Sequence, residues 1–297
     1  METADLEDMA ERLEASGAYR ILRRLAIPTA FSAADGTPTK LGIVLDVETT
    51  GLDSAADEII ELGMIKFEFS ADGGIFRVVD RFTGLREPAI PVPAEIIALT
   101  GITPELLHGR TIRSEDVSAF LAETVIIIAH NAAFDRPFCE RAWPDFVSKH
   151  WACSSTEVAW RSHGRSGSRL AYLLNEDGYF TDGHRAINDC EAVLTVLGHG
   201  PIDGGTYLGE LLASARRVTV RIYAEGAPFD SKNVLKARGY RWFEGSADRP
   251  KCWRKDLFED LLDAELAFLK STVFGGKDIE LPIHRFSAID RYSMRTL

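Results

Sequence analysis

The chain has 297 residues, of which 45% are hydrophobic and 27% charged, and its formal net charge at pH 7 is −11. This composition is ordinary for a soluble globular protein with one large domain and a smaller one, and no apolar stretch approaches the length of a membrane span. The four cysteines are too far apart for a disulfide framework or a zinc site, and the acidic start of the chain lacks a signal-peptide core, so we expect a cytoplasmic protein with no membrane partner.

The N-terminal segment is predicted to be a helical arm. Between residues 5 and 25, apolar side chains from Leu6 to Leu25 recur at helix-like spacing. A run rich in proline, serine and glycine, from Pro28 to Pro38, then forms a linker. We therefore predict an N-terminal helical arm and linker over residues 1–39 and assign it no chemistry.

Residues 41–52, with the sequence LGIVLDVETTGL, combine an apolar strand with two acids. Successive side chains of a strand point to opposite faces, so Asp46 and Glu48, two residues apart, point the same way. Two carboxylates directed at one point repel each other unless a cation lies between them, and oxygen ligands suit Mg²⁺ or Mn²⁺. Residues 49–51 then break the strand into a turn with free backbone donors. Taken alone, an Asp-x-Glu pair is more often two solvated acids at a strand end.

The segment that follows predicts a mixed α/β sheet flanked by helices. Two strands joined by a tight turn at residues 71–74 would form an antiparallel set with the first strand. The continuous apolar run at residues 124–129 is typical of a strand buried on both faces, and helices and strands alternate after it. The predicted strands are 57–69, 75–82, 124–129 and 151–158, and the predicted helices are short pieces within 91–107, then 114–121, the segment from 135 to 142, 169–174 and 186–197.

Four carboxylates and one histidine stand where these elements would bring them together. Asp46 and Glu48 close the first strand, and Asp135 follows the central apolar strand. Asp189 lies in the last of these helices, five residues after His184. Open α/β sheets bind ligands at the carboxyl edge of their strands, and this set of side chains is the inventory of a two-metal phosphodiesterase with a histidine base. Each residue alone also has a structural explanation, so the prediction depends on their joint order.

Three motifs between residues 40 and 200 match a known family. They are DVETTGL at 46–52, HNAAFD at 130–135 and His184 followed five residues later by Asp189, and the segment LTGI at 99–102 matches as well. In these motifs the chain resembles the DEDDh 3′→5′ exonucleases, the group that contains the epsilon proofreading subunit of bacterial DNA polymerase III and RNase T. The sister DEDDy group has a tyrosine four residues before the last aspartate, where this chain has Arg185. The resemblance implies an RNase H-like fold and two Mg²⁺ or Mn²⁺ ions per site.

The resemblance also implies a role for each matching residue. Asp46 would bind both metal ions, Glu48 and Asp189 would bind one, and Asp135 would hold the other. His184 would deprotonate the nucleophilic water. Substrate contacts are implied for Thr49 and Thr50 with the terminal 3′ nucleotide, for Leu52 and Thr100 as wedges near the last base, and for Phe134 beneath the site, where core packing is an equal alternative.

A second histidine competes for the role of the base. His163 lies in the short basic loop RSHGRSGSR, residues 161–169. This composition allows a phosphate contact, although a solvated surface loop is the favoured interpretation.

Residues 216–255 differ in charge from the rest of the chain. They contain eleven Lys or Arg against four acids, a net charge of +7, so the remainder carries −18. Aromatic residues, among them Trp242 and Trp253, are interleaved with these cations. Charge neutralisation and base stacking hold single strands in this way, and a small aromatic core with outward cations is an equal alternative. We predict an exonuclease domain at 40–200, a basic α+β module at 215–256 and a C-terminal helix and tail at 257–297.

The function predicted from these features is a metal-dependent 3′→5′ exonuclease. Its substrate would be the 3′ end of a nucleic acid, with DNA preferred to RNA, either single-stranded or frayed. One alternative keeps the chemistry and changes the substrate to the 3′ ends of RNA. A second alternative is a polymerase-associated nucleic-acid-binding subunit, against which the complete catalytic set argues, because binding alone has no use for a general base.

Overall fold

The computed structural model describes residues 3–33, 35–201 and 204–296. The chain divides into two compact units, one comprising Met1–Ser214 with Tyr292–Leu297 and the other Ala215–Arg291. Among the described helices, none is both long enough and apolar enough to cross a membrane.

A five-stranded mixed sheet forms the centre of the first unit. The strands of this unit are β1 (Arg23–Arg24), β2 (Thr39–Thr49), β3 (Ile59–Ser70), β4 (Ile75–Leu85), β5 (Thr124–Ala129), β6 (Trp151–Cys153) and β7 (Tyr179–Phe180). The order in the sheet is β4-β3-β2-β5-β6, with β4, β3 and β2 antiparallel and with parallel pairing of β2 to β5 and of β5 to β6. The mixed sheet predicted from the sequence is confirmed.

Helices cover this sheet. They are α1 (Thr3–Ala15), α2 (Ala94–Thr100), α3 (Pro104–Leu107), α4 (Ser114–Leu121), α5 (Ala132–Ala142), α6 (Leu170–Glu176), α7 (Ala186–Gly198) and α8 (Tyr207–Ala215). Ile43, Leu45 and Val47 of β2 join a buried cluster with apolar residues of α4 and α5. Side chains of the opposite parity on β2 therefore point to the other face, where α7 packs on β2 and β3.

Two predicted elements are shorter than expected. The N-terminal helix ends at Ala15 because Gly17 adopts a left-handed conformation with φ of 71°, and the chain then forms the two-residue strand β1, which pairs with β7. The strand predicted at 151–158 ends at Cys153 in a turn, in which the amide N–H of Glu157 donates to the carbonyl of Cys153 at 2.9 Å.

The second unit is a two-layer α/β structure. Its elements are β8 (Thr219–Ala224), α9 (Lys232–Ala237), β9 (Arg241–Phe243), β10 (Cys252–Phe258), α10 (Leu262–Phe268) and β11 (Ile283–Phe286). The four strands form an antiparallel sheet in the order β11-β8-β10-β9. The core contains Val220, Ile222 and Leu257 of the sheet together with Leu235 of α9 and Leu262 of α10. Thus α10 and β11, expected in a C-terminal helix and tail, belong to the same unit as the basic segment.

Candidate active site

Asp46 and Glu48 are the first two acids of the site along the chain. They lie on the face of β2 that packs against α7. Their direct neighbours on β3 are Gly63 opposite Asp46 and Glu61 opposite Glu48. Both acids are half-buried, and one carboxylate oxygen from each lies within 4.8 Å of the other and of an oxygen of Asp189. The predicted alternation of side chains along the strand therefore brings the two acids to one point.

Gly63 is what allows helix α7 to approach this face. A Cβ atom at Gly63 would stand 2.5 Å from the backbone carbonyl carbon of Ala186, the first residue of α7, so any side chain at this position would displace the helix. The thiol of Cys190 donates to the Gly63 carbonyl at 3.4 Å, which holds the next turn of the helix on the strand. The close packing places Asp189, one turn into α7, beside the acids of β2.

Asp135 reaches the site from the first turn of α5. It is almost completely buried, with 3% of its surface exposed, and its carboxylate accepts a hydrogen bond from the backbone N–H of Val47 at 3.3 Å. Because β5 and β2 run in parallel, the start of α5 lies at the same edge of the sheet as the end of β2. The carboxylate of Asp135 is not among the mutually close oxygens of the other three acids, but it lies near enough to Asp46 to affect that residue's pKa.

Two charged residues of the site were not predicted from the sequence. Glu61 is fully buried and accepts hydrogen bonds from the N–H of Ala186 at 3.0 Å and from the guanidinium of Arg185 at 2.8 Å. A carboxylate at a helix N-terminus is stabilised by the free amides there, so Glu61 fixes the start of α7. Arg185 also supplies a positive charge that offsets the negative charge of Glu61, which lies beside Glu48. The sequence feature that could have identified Glu61 is its position as an acid inside the apolar run IIELG of β3.

The carboxylates of the site are held at high pKa values. Burial raises the pKa of Asp46, and the negative charges of Asp135 and Asp189 raise it further. Burial is also the main cause that raises the pKa of Glu48 to about 8 and that of Asp135 to about 7. Burial raises the pKa of Asp189 as well. The hydrogen bond that its carboxylate accepts from the backbone N–H of His184, at 3.0 Å, lowers this pKa in part. Without a cation, the site therefore retains protons near neutral pH.

The donor set fits hard divalent cations. It offers only carboxylate oxygens at the converging point, and these are the ligands that Mg²⁺ and Mn²⁺ prefer. Mutual repulsion between these acids is relieved when a cation replaces the protons they would otherwise carry. On the chemistry of its side chains, the site is thus suited to metal binding.

His184 lies on the loop that leads into α7, with its side chain exposed. Its φ of 62° is left-handed, a conformation that costs a non-glycine residue roughly 1–2 kcal/mol. The bond from its N–H to Asp189 ties this loop to a residue of the acidic group. The competing His163 is held elsewhere, since its Nε2 lies 2.6 Å from a carboxylate oxygen of Glu210 and its ring packs against Tyr207.

The five residues predicted to contact substrate differ in exposure. Thr50 is buried, and its hydroxyl bonds to the carboxylate of Asp57 at 3.1 Å and accepts from the N–H of Glu58 at 2.9 Å, so it stabilises the turn after β2. Thr49 and Thr100 are likewise buried, with their hydroxyls donating to backbone carbonyls. Leu52 has 85% of its surface exposed at the tip of that turn. Phe134 is half-buried and packs against Phe138, with ring centroids 5.0 Å apart.

A family comparison decides the class of this site. The model of the exonuclease family matches residues 43–197, which is just over half of the chain and includes all four acids and His184. The chain belongs to the exonuclease family. The exonuclease family predicted from the three motifs is confirmed, and the first unit contains the exonuclease domain of a nuclease.

Known relatives of this exonuclease domain are parts of much larger proteins. The DNA polymerase III PolC-type of Thermotoga petrophila is 38% identical over 125 residues, which cover 41% of this chain and 8% of that protein. The PolC-type polymerase of Bacillus subtilis is 33% identical over 186 residues, which cover 58% of this chain and 12% of that protein. The chain thus spans only a small fraction of the length of the curated relatives it matches.

A solved structure shares the fold of the exonuclease domain. E. coli Exonuclease I in complex with a dA16 oligonucleotide aligns with a TM-score of 0.51 at 13% identity, over 73% of this chain and 63% of that chain. At this identity the likeness concerns the fold alone, and it agrees with the RNase H-like α/β sheet flanked by helices.

The raised pKa values predict that the metal-free exonuclease loses stability as the pH rises. Between the unfolded value of about 4.3 for a glutamate and the native value of about 8 for Glu48, the native state binds more protons than the unfolded state, so the free energy of unfolding falls with increasing pH. Thermal unfolding in EDTA should show this decline, and Mg²⁺ or Mn²⁺ should raise the unfolding temperature more at alkaline than at acidic pH. In Glu48→Gln the decline should be shallower. An unfolding temperature in EDTA that did not change over this pH range would contradict the predicted protonation of the acids.

Proposed function

We propose that this exonuclease hydrolyses the terminal phosphodiester bond at the 3′ end of a DNA strand, using two divalent cations and His184 as the base. The observation that supports the proposal is the convergence of the carboxylates of Asp46, Glu48 and Asp189, with Asp135 buried at the same edge of the sheet. Carboxylates at this density have no stabilising function in the absence of cations, because burial and repulsion raise the pKa of each one.

Each acid has a task in this proposal. Asp46 would hold both cations, Glu48 and Asp189 one of them, and Asp135 the other. When bound, such a pair of cations lowers the pKa of the attacking water and stabilises the charge that develops on the phosphate and the leaving oxygen. Glu61 and Arg185 act indirectly, by keeping the N-terminus of α7, and with it Asp189, against β3.

His184 would take the proton from the attacking water. Its side chain is exposed on the loop before α7, and its backbone N–H already bonds to Asp189. The imidazole lies near enough to Asp189 to lower the pKa of that residue. The water oxygen would bond to phosphorus as the bond between phosphorus and the 3′ oxygen of the preceding nucleotide breaks, which releases a nucleoside monophosphate.

The turn after β2 would bind the 3′ end of the DNA strand. Leu52 projects from its tip, where an apolar side chain can pack against a base, and the buried hydroxyls of Thr49 and Thr50 keep the turn rigid. Thr100, whose hydroxyl accepts from the N–H of Ile102 at 3.1 Å, would lie near the last base, and Phe134 would pack beneath the site. DNA is the proposed substrate class because the relatives described above are DNA polymerases.

Polarity and substrate class are tested by one labelled-strand experiment. Oligonucleotides of identical sequence, as single-stranded DNA, duplex DNA and RNA, carry a fluorophore at the 5′ end and are incubated with Mn²⁺ or Mg²⁺. A 3′→5′ exonuclease should produce a ladder of 5′-labelled products that shorten with time, and EDTA should stop it. Immediate release of the labelled mononucleotide would show the opposite polarity, and faster degradation of RNA than of both DNA substrates would favour an RNA-trimming enzyme.

A further inference from the structure

The positive charge of the second unit is mostly neutralised within that unit. Of the eleven cations between residues 216 and 255, six form ion pairs, and three of the acids that pair with them lie just beyond this segment. The pairs are Arg217–Asp260, Arg221–Asp256, Arg238–Glu265, Arg249–Glu225, Lys251–Glu244 and Lys255–Glu265. The net charge of +7 therefore overstates the charge available to a ligand.

Two of the cations that remain lie on the neighbouring strands β9 and β10. In the described part of the unit, Lys232, Lys236, Arg241 and Arg254 have no acidic partner. Arg241 and Arg254 stand directly opposite each other on β9 and β10, so their side chains share one face of the sheet. Like charges in this position are destabilising, and one guanidinium nitrogen of Arg254, Nη1, is buried without a hydrogen-bond partner. An anion bound to the two arginines would relieve the repulsion between them.

Aromatic side chains lie on both faces of the sheet at β9. On the face of the arginine pair, the guanidinium of Arg254 lies 5.0 Å from the ring centroid of Phe243, which keeps it in place on the sheet. Trp242, the residue after Arg241, points to the opposite face. It has 47% of its surface exposed, and its ring packs edge-on against the buried Trp253 at 5.4 Å. Of the two alternatives given for these aromatic residues, core packing applies to Trp253, which supports Trp242. Phe229, just before α9, is 83% exposed.

We propose that the β9 edge, defined as Arg241, Trp242 and Arg254, binds single-stranded DNA. The arginine pair would bind a backbone phosphate, and the exposed indole of Trp242 would stack on a base. Binding a single strand without reading its sequence requires unpaired cations for the phosphates and an aromatic ring, held in place by its neighbours, for base stacking. Because β9 is the outer strand of its sheet, both of its faces are reachable from the sheet edge. The β9 edge is distinct from the acidic site, and its binding does not depend on cleavage.

The test is a binding titration of the full-length chain in EDTA, which prevents metal-dependent cleavage. A fluorescein-labelled oligothymidylate is titrated at several NaCl concentrations, and its anisotropy gives the association constant. Arg241→Gln combined with Arg254→Gln should weaken binding and reduce the slope of log K against log salt by about 0.7, the change expected for one lost phosphate contact on a single strand. Trp242→Ala should weaken binding roughly tenfold with an unchanged slope, because stacking involves no counterion.

Matched controls separate this surface from general charge effects. Lys251→Ala and Lys270→Ala remove exposed cations that are already paired with Glu244 and Asp278, and both affinity and slope should stay as in the parent. Unfolding temperatures are measured for every variant. A double-arginine variant that unfolds like the parent and keeps its affinity and slope would overturn the proposal. The proposal would also be overturned if the double-arginine variant lost as much affinity for heparin as for DNA and Trp242→Ala had no effect. The edge would then be a general anion site.

Discussion

Asp46→Asn is expected to abolish cleavage without destabilising the exonuclease domain. Asp46 is central to the acidic group, with Glu48 and Asp189 within 4.8 Å and Asp135 close enough to raise its pKa. The amide keeps the shape of the side chain but removes the charge that would hold both cations, and metal-ion catalysis contributes several kcal/mol, so we expect a loss of about 10³-fold or more. The rate is measured as shortening of a 5′-labelled strand in Mn²⁺ or Mg²⁺.

The stability of Asp46→Asn makes the prediction specific. Because the substitution removes one of several mutually repelling acids, the unfolding temperature of the variant in EDTA at alkaline pH should equal or exceed that of the parent. Addition of cation should raise it less than in the parent. Asp80→Asn, which changes an exposed acid on β4 of the same sheet, is the matched control and should leave cleavage and cation response unchanged. Cleavage by Asp46→Asn at the parental rate, or cleavage by the parent in EDTA, would refute the two-metal proposal.

How far the sequence predicts this site depends on how local each contact is. The shared direction of Asp46 and Glu48 follows from the period of a strand, and it needs no knowledge of the rest of the fold. The role of Gly63 and Glu61 depends on the register between β2 and β3 and on how closely α7 approaches, which no local pattern encodes. For the same reason Arg185 was noted only as a departure from the tyrosine subgroup, although it pairs with Glu61.

The second unit shows the same limit for charge. A sum over residues 216–255 treats every cation as free, whereas Arg221 and Lys255 pair with Asp256 and Glu265, which lie outside that segment. Pairing across strands and helices decides which charges face a ligand, and only the structure shows it. The cations without an acidic partner include the arginine pair on β9 and β10. The unfavourable placement of this pair could not be inferred from the composition.

Replacement of His184 should reduce the cleavage rate by about 10²- to 10⁴-fold, the usual contribution of a general base. The backbone at this position is left-handed, so the choice of substitution matters. Asparagine tolerates a positive φ, as histidine does, whereas alanine is less often found in this conformation. His184→Asn therefore removes the base while it preserves the loop and the bond from its N–H to Asp189. Single-turnover cleavage rates of the two variants and the parent provide the comparison.

The decisive readout is that His184→Asn loses turnover but keeps the cation-induced rise in unfolding temperature, because its side chain is not expected to bind metal. A variant that lost both would place His184 among the metal ligands instead of the base. His163→Asn serves as the competing variant, and it should reduce stability through the lost contact with Glu210 while retaining cleavage at a temperature where it is folded. If folded His163→Asn lost more activity than His184→Asn, the base would lie on the loop at 161–169, and the bond from the His184 amide to Asp189 would have only a structural role.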